Sequence, residues 1–194
     1  MLTRSNQRIK TSRIKYKPTK LPEGFVLLID SREQLPLFVD HRLQKGDHII
    51  LKKGLYKGLE IKCVTCPTAI DYTVEGYENQ IGIERKRVSD FLSYVGKERK
   101  KTDRKREILQ SMFFAGLLIE ANESDLVAPQ VYGGRITPEH VRGFLVSCNV
   151  RNGIHVYANR NRQACERWAL DRLVKAYNVL KGDKCTSEMV DTNG

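Results

Sequence analysis

The stretch that decides the fold runs Ile81-Gly82-Ile83-Glu84-Arg85-Lys86-Arg87-Val88-Ser89-Asp90. Its first apolar residues alternate with Gly82 and Glu84, and this period of two is typical of a strand. From Val88 onward the apolar residues recur at helical spacing, so a helix follows the strand directly. Side chains two residues apart on a strand point to the same face, and Glu84 and Lys86 can therefore reach one point in space.

A carboxylate and an ammonium group at one point suit metal-assisted chemistry. The carboxylate of Glu84 can bind a hard divalent cation, and the ammonium of Lys86 can orient a water molecule or help to deprotonate it. A bare Glu-x-Lys is more often the charged edge of an exposed strand. The rest of the chain must therefore decide between the two interpretations.

Composition predicts a basic globular domain with a polyanionic partner. The chain has 194 residues and a formal net charge of +11, which favours nucleic acid as the partner. No apolar run approaches the length of a membrane span, and no basic amphipathic helix has a wide apolar face, so we expect no membrane association. Five cysteines, an odd number, together with the lack of a secretory signal, favour an intracellular protein without a disulfide framework.

The charge is concentrated near the N-terminus. Residues 1–20 carry seven basic and no acidic side chains, with few apolar residues, and we expect them to form a flexible basic arm. The alternative is an N-terminal extension with no role. We expect residues 21–181 to form one folded domain and residues 182–194 to form a polar C-terminal tail.

The apolar pattern predicts an α/β fold with a mixed central sheet flanked by helices. The predicted strands cover residues 25–29, 48–51, 59–63, 71–74, 80–85, 117–121 and 154–158. The predicted helices cover about 87–96, 138–151 and 161–180, with a further helix that begins in the basic run 97–107 and is anchored by apolar residues 108–113. Residues 122–136 are predicted to form a loop.

Two of the predicted strands form a hairpin. Asp71 enters this hairpin and Glu84 leaves it after the turn at residues 75–79. A register that brings the two carboxylates together is therefore expected. Asp30 follows the buried first strand directly, at the carboxyl end where sites in open α/β sheets gather.

Read together, Asp71, Glu84 and Lys86 form an Asp-x12-Glu-x-Lys pattern that resembles the PD-(D/E)xK nuclease superfamily. A longer string is more specific, because Glu84-Arg85-Lys86 followed by Asp90 resembles the E-R-K-x3-D motif of the XPF-type (XPF/Hef) structure-specific nucleases. Asp30-Ser31-Arg32-Glu33 is similar to that family's D-x-R-E, and Asp71-Tyr72 to the end of its G-D-Y element, with Ile70 replacing the glycine. The resemblance covers about residues 25–180 and implies a restriction-endonuclease-like fold.

The resemblance implies a role for each matching residue. Asp30, Asp71 and Glu84 would be carboxylate ligands of Mg²⁺ or Mn²⁺, and Lys86 would hold the attacking water in line. Glu33 and Asp90 would support these groups, while Arg32 and Arg85 would contact phosphate or support the site. The cationic side chains expected to follow the DNA backbone are Arg32, Arg85, Arg87, Lys97, Arg99, Lys100, Lys101 and Arg104.

The resemblance also implies an activity and partners. The family cuts DNA near junctions of duplex and single strand, so we expect an endonuclease for branched or flapped DNA in repair, recombination or viral DNA processing. A catalytically silent DNA-binding or partner-binding module is the alternative. We expect a homodimer, paired through helices 138–151 and 161–180, located in the cytoplasm or nucleoid, or in the host cytoplasm if the chain is viral. The sequence shows no tandem helix-hairpin-helix module, so a partner protein is expected to supply substrate specificity.

Two other patterns imitate functional sites. Gly46-Asp47-His48 resembles G-D-Y, but it lies 37 residues before Glu84, too far for one tight hairpin, and Asp71 is preferred. Cys63-x2-Cys66 resembles half of a zinc site, but the sequence has no second pair of ligands at suitable spacing. We therefore expect these two cysteines to be structural.

Overall fold

The computed structural model describes residues 19–66, 70–96, 99–127 and 136–191, and for residues 99–101 and 183–191 it describes the backbone alone. Residues 1–18 of the expected basic arm lie outside the described residues. At its end, Thr19 donates a hydrogen bond of 2.8 Å from Oγ1 to Asp171 Oδ1, which ties the start of the described chain to the last helix.

The described strands form one mixed seven-stranded sheet, as the sequence predicted. The strands are β1 (Val26–Asp30), β2 (His48–Ile50), β3 (Glu60–Val64), β4 (Tyr72–Val74), β5 (Ile81–Lys86), β6 (Phe114–Ile119) and β7 (Ile154–Ala158). Their order across the sheet is β2-β3-β1-β4-β5-β6-β7. The neighbours β1 and β3, β5 and β6, and β6 and β7 are parallel, whereas β4 is antiparallel to both β1 and β5.

Helices cover the sheet on both faces. They are α1 (Val88–Val95), α2 (Arg99–Gln110), α3 (Glu123–Leu126), α4 (Pro138–Val146) and α5 (Arg162–Asp191). Along β6, Phe114 and Leu118 belong to the core cluster that includes α5, whereas Leu117 and Ile119 belong to the cluster that includes α1, α2 and α4. Because successive strand residues point to opposite faces, α5 lies on one face of the sheet, and α1, α2 and α4 lie on the other face.

The sequence predicted most of these elements correctly, missed some boundaries and assigned α3 to a loop. The start of α4 is as predicted, with Thr137 as its N-cap and Pro138 at its first position. The strand β6 begins at Phe114, earlier than predicted, because α2 ends at Gln110 and residues 111–113, which were expected to continue the helix, form the turn into the strand. The last helix continues past Leu180 to Asp191, since Gly182 weakens a helix by only about 1 kcal/mol and does not end it.

Within the described ranges, no helix combines the length and the apolar character that a membrane span requires.

Candidate active site

The hairpin of β4 and β5 brings Asp71 and Glu84 together. Tyr72 pairs with Ile83 in the antiparallel register, which places Asp71 across from Glu84. The Asp71 N–H donates to the Ile83 carbonyl at 3.0 Å, and the Arg85 N–H donates to Asp71 Oδ2 at 2.7 Å. The juxtaposition of the two carboxylates predicted from the hairpin is confirmed.

The surroundings of Asp71 disfavour its negative charge. Burial and the nearby carboxylate of Glu84 raise the pKa of Asp71, and the positive charge of Lys86 and the hydrogen bond from the Arg85 N–H only partly oppose this rise. Two carboxylates held this close repel each other unless a cation lies between or beside them. The fold therefore holds Asp71 in a position where a bound cation would stabilise its charged form.

Glu84 is fully buried, and its two oxygens have different surroundings. Oε1 accepts hydrogen bonds from the ammonium groups of Lys86 and, at 2.6 Å, of Lys105. Oε2 is buried and has no hydrogen-bond partner among the described residues. A buried carboxylate oxygen without a partner is costly in a stable fold, and a bound cation would satisfy it.

Lys86 stays charged in this setting. Burial alone would lower the pKa of Lys86, but the carboxylates of Glu84 and Asp71 raise it above its usual value. Its Nζ also lies 5.5 Å from the centre of the Tyr94 ring, a favourable cation–π distance. A protonated lysine donates hydrogen bonds, so the geometry favours the role of orienting a water over that of deprotonating it.

Asp30 holds Arg32, and both of its oxygens accept hydrogen bonds from the protein, while its expected role as a metal ligand stays a prediction. Its Oδ1 accepts from the Arg32 backbone N–H at 2.8 Å and from Nε at 2.7 Å, and its Oδ2 accepts from the second guanidinium nitrogen at 2.7 Å and from the Cys66 N–H at 3.0 Å. Burial alone would raise the pKa of Asp30, but these hydrogen bonds lower it. The carboxylate therefore fixes the Arg32 guanidinium, whose side chain remains 65% exposed.

Arg85 supports the site from within, and its burial contradicts the expectation that it binds DNA directly. Its guanidinium is only 3% exposed and lies between two carboxylates, with Glu33 Oε1 at 2.7 Å and Glu120 Oε2 at 2.6 Å. Arg85 thereby connects the loop after β1 to the end of β6. Of the two roles that the sequence left open for Arg85, phosphate contact and support, the structure favours support.

The predicted residues gather around one polar cleft of about 310 Å³. Its lining consists of Arg32, Glu33, Gln34, Asp71, Arg85, Lys86, Arg87 and Asp90. Asp90 lies in the first turn of α1 and its charge helps to raise the pKa of Lys86, which places it beside the site as expected. The cleft is open to solvent at Arg32, Arg87 and Asp90.

The structure describes the side chains of only some of the residues predicted to contact DNA. Arg32, Arg87 and Arg104 have exposed side chains available to a phosphate backbone. Arg99, Lys100 and Lys101 are described by their backbone alone, on the first turn of α2. Lys97 lies outside the described residues.

The residues of the two imitating patterns have structural partners. Asp47 is a half-buried residue that directly follows a turn, and its Oδ2 accepts the Gln44 N–H at 2.7 Å. Cys63 and Cys66 are free, buried thiols that belong to different core clusters. Both observations agree with the structural roles expected for these residues.

The structure adds two residues that the sequence motif did not reveal. Glu120 follows the fully buried β6, and this position at the carboxyl end of a parallel strand was the available signal. Lys105 was hidden in a basic run. Its spacing to the buried Thr102 and Leu109 puts it on the inward face of α2. This helical pattern could have distinguished Lys105 from the solvent-facing basic residues around it.

Asp71 and Glu84 fit a divalent metal as a pair. Both supply oxygen, the ligand atom preferred by Mg²⁺ and Mn²⁺, and the unpartnered Glu84 Oε2 gives a buried oxygen that needs a cation. In the described part of the chain, no group of three or more His, Cys, Asp or Glu side chains is placed to hold a metal. Of the three carboxylates expected from the sequence, Asp71 and Glu84 are the two that the hairpin brings together.

The chain was compared with known proteins. No family model and no curated protein matches it. Solved structures do match, among them XPF from Aeropyrum pernix in complex with DNA, with a TM-score of 0.56 and 17% identity; the match covers 79% of this chain and 65% of that chain. A second structure of XPF from Aeropyrum pernix has a TM-score of 0.50 and 18% identity, with 76% and 65% of the two chains covered.

The chain thus spans just under two thirds of the length of the structures it matches. At this level of identity, the likeness is evidence about the fold. The mixed sheet, its flanking helices and the hairpin that carries Asp71 and Glu84 together show that the chain has the XPF-type nuclease-domain fold predicted from its sequence.

Proposed function

We propose that this protein is a divalent-metal-dependent endonuclease that hydrolyses phosphodiester bonds in branched or flapped DNA. The observation that carries the proposal is the pairing of Asp71 with Glu84 across the hairpin, beside the charged Lys86, with one buried oxygen of Glu84 left without a partner. A stable fold has little reason to keep such a costly arrangement unless it serves chemistry.

In this proposal Asp71 and Glu84 hold Mg²⁺ or Mn²⁺. The bound metal would supply charge stabilisation at the phosphate and would lower the pKa of a water. The Lys86 ammonium, held in place by Glu84, donates a hydrogen bond and orients the attacking water. Arg32, fixed by Asp30 and exposed to the cleft, donates to a phosphate oxygen of the DNA backbone.

Charge and resemblance support DNA as the substrate. The net charge of +11 favours a polyanion, and exposed arginines lie at the cleft and on α2. The XPF structure that this fold matches was solved in complex with DNA. Contacts to the phosphate backbone give affinity and register but little sequence information, which suits an enzyme that recognises the shape of a branch.

The test is a cleavage assay with purified protein. Labelled flap, fork, four-way junction and plain duplex of equal length are incubated with Mg²⁺, with Mn²⁺ or with EDTA. We expect cuts near the branch point in the first two conditions and intact DNA in EDTA. Binding to every substrate without metal-dependent cleavage would instead support the catalytically silent module.

The basic arm is expected to strengthen binding without affecting chemistry. Deleting residues 1–18 removes six basic side chains and spares Thr19. If about half of those charges neutralise phosphates, the slope of log affinity against log salt should become shallower by roughly 3, at about 0.9 per phosphate. Turnover at saturating DNA should stay close to that of the full chain. An unchanged slope, measured by anisotropy titration at several salt concentrations, would show that the arm does not contact DNA.

We also propose a homodimer. The short π-helical turn at Ser147–Arg151, which follows α4, exposes Val150, and Val146 at the end of α4 is exposed as well. Light scattering at micromolar concentration should give about twice the chain mass of 22.3 kDa. Val150→Glu should shift the mass to that of one chain if this surface is the interface, while Val150→Ser should shift it less. A single-chain mass for the unaltered protein would contradict the dimer.

A further inference from the structure

Lys105 contacts the candidate metal site from outside the hairpin. It lies on α2, and its Nζ is 2.6 Å from Glu84 Oε1, the oxygen that also accepts from Lys86. Thr102 and Leu109, one turn before and one after, are buried on the same face of the helix. The helix therefore aims this lysine at the floor of the site, while Arg104 beside it is exposed to solvent.

Glu84 already lies against two positive charges without a metal. Its Oε1 accepts hydrogen bonds from the ammonium groups of both Lys86 and Lys105, beside the carboxyl group of Asp71. A divalent cation that binds to Asp71 and to Glu84 Oε2 must approach these ammonium groups closely. At separations of a few ångströms the repulsion is large, so one ammonium group must move away or weaken the metal's binding.

The two lysines differ in their freedom to move. Lys86 is on the same strand as Glu84, two residues away, and its side chain is largely buried beside Tyr94. Lys105 belongs to a different element, and its side chain is 30% exposed, so a rotation of its flexible stem takes the ammonium to solvent. Lys105 is therefore the lysine that can leave Glu84 without disturbing the hairpin.

We propose that Lys105 is a positioning residue that holds Glu84 in the metal-free protein and gives up this ion pair when the metal binds. The inference rests on the proposed function and adds that the ammonium group of Lys105 competes with the metal for Glu84. Because α2 carries the basic residues expected to follow DNA, the released ammonium becomes available to a phosphate. Metal binding and DNA binding are then coupled, and each should strengthen the other by the same factor.

The direct test measures Mn²⁺ binding without DNA. Free and bound Mn²⁺ are distinguished by electron paramagnetic resonance in titrations of the unaltered protein, of Lys105→Met and of Lys105→Arg. We expect Lys105→Met to bind Mn²⁺ about tenfold more tightly, because a competing charge is gone, and Lys105→Arg to stay near the unaltered value. Lys175→Met, which removes an exposed lysine of α5 on the other face of the sheet, is the matched control and should change nothing.

The sign of the change separates the alternatives. A lysine that only preorganises Glu84 would give weaker Mn²⁺ binding on removal, and equal or weaker binding by Lys105→Met overturns the inference while leaving the proposed function intact. Absence of Mn²⁺ binding by both the unaltered protein and Lys105→Met would overturn the proposed function and this inference with it.

A second measurement needs no variant. Acylation of lysines in the full chain by an N-hydroxysuccinimide ester, quantified by mass spectrometry of the peptides after digestion, reports which ammonium groups are free. Saturating Mn²⁺ should raise the labelling of Lys105 severalfold and leave that of Lys175 unchanged. Labelling of Lys105 that stays constant or falls with metal would show that its ion pair with Glu84 persists.

Discussion

Asp71→Asn is expected to abolish metal-dependent cleavage, with a fall of at least about a thousandfold in turnover, equivalent to about 4 kcal/mol of transition-state stabilisation. The substitution keeps the shape of the side chain and an oxygen that can accept the Arg85 N–H. It removes the negative charge that the proposed metal requires. Single-turnover assays at saturating flap DNA measure the loss, and anisotropy titration should show DNA affinity nearly unchanged.

The same substitution should leave the fold at least as stable as before. Burial and Glu84 raise the pKa of Asp71, so its charged form is disfavoured in the folded protein. The stability that depends on its protonated form is present at low pH and is lost as the pH rises through the raised pKa. In EDTA at alkaline pH, Asp71→Asn avoids this loss. Its free energy of unfolding in urea should then equal or exceed that of the unaltered protein.

Asp47→Asn is the control for this prediction. Asp47 follows a glycine, as the family's aspartate does, but it lies directly after a turn and is not among the residues that line the cleft. Cleavage by Asp47→Asn should stay within about twofold of the unaltered enzyme. If Asp47→Asn were inactive and Asp71→Asn were active, the assignment of the catalytic hairpin would be wrong.

Local pattern predicted the hairpin and the carboxylate pair because these are short-range features. The alternation around Glu84 determines which side chains share a face, and the turn at residues 75–79 determines that β4 and β5 are neighbours. Tyr72 then falls opposite Ile83, and Asp71 meets Glu84. The order of the remaining strands depends on packing against helices on both faces, and the local pattern predicted a mixed sheet flanked by helices without its strand order.

The roles of Asp30 and Arg85 needed three-dimensional partners. A motif names the residue but does not show which group its side chain contacts. Asp30 is saturated by Arg32 and by the Cys66 N–H, which comes from a loop 36 residues away. Arg85 is enclosed by Glu33 and by Glu120, and Glu120 belongs to no motif considered in the sequence. Long-range contacts of this kind show which groups Asp30 and Arg85 support, and no local motif reveals them.

Arg85→Met is expected to destabilise the protein by about 3 kcal/mol or more and to abolish cleavage. The guanidinium is 3% exposed and neutralises two poorly solvated carboxylates, Glu33 and Glu120. Removing one partner of a buried ion pair leaves uncompensated buried charge, which typically costs about 3–5 kcal/mol. Activity should fall with stability, because Glu33 and Gln34 line the cleft and lose the contact that fixes their loop. Urea unfolding followed by circular dichroism measures the change.

Two comparisons determine whether unpaired buried charge causes the loss of stability in Arg85→Met. Arg87→Met removes the exposed neighbouring arginine at the cleft, and it should weaken DNA binding while changing the free energy of unfolding by less than about 0.5 kcal/mol. Combining Arg85→Met with Glu33→Gln and Glu120→Gln removes the unpaired charges and should recover a substantial part of the lost stability, since the three side chains form one network. If Arg85→Met instead kept full stability and reduced the salt dependence of DNA binding by the contribution of about one phosphate, Arg85 would contact the DNA backbone and not the interior of the site.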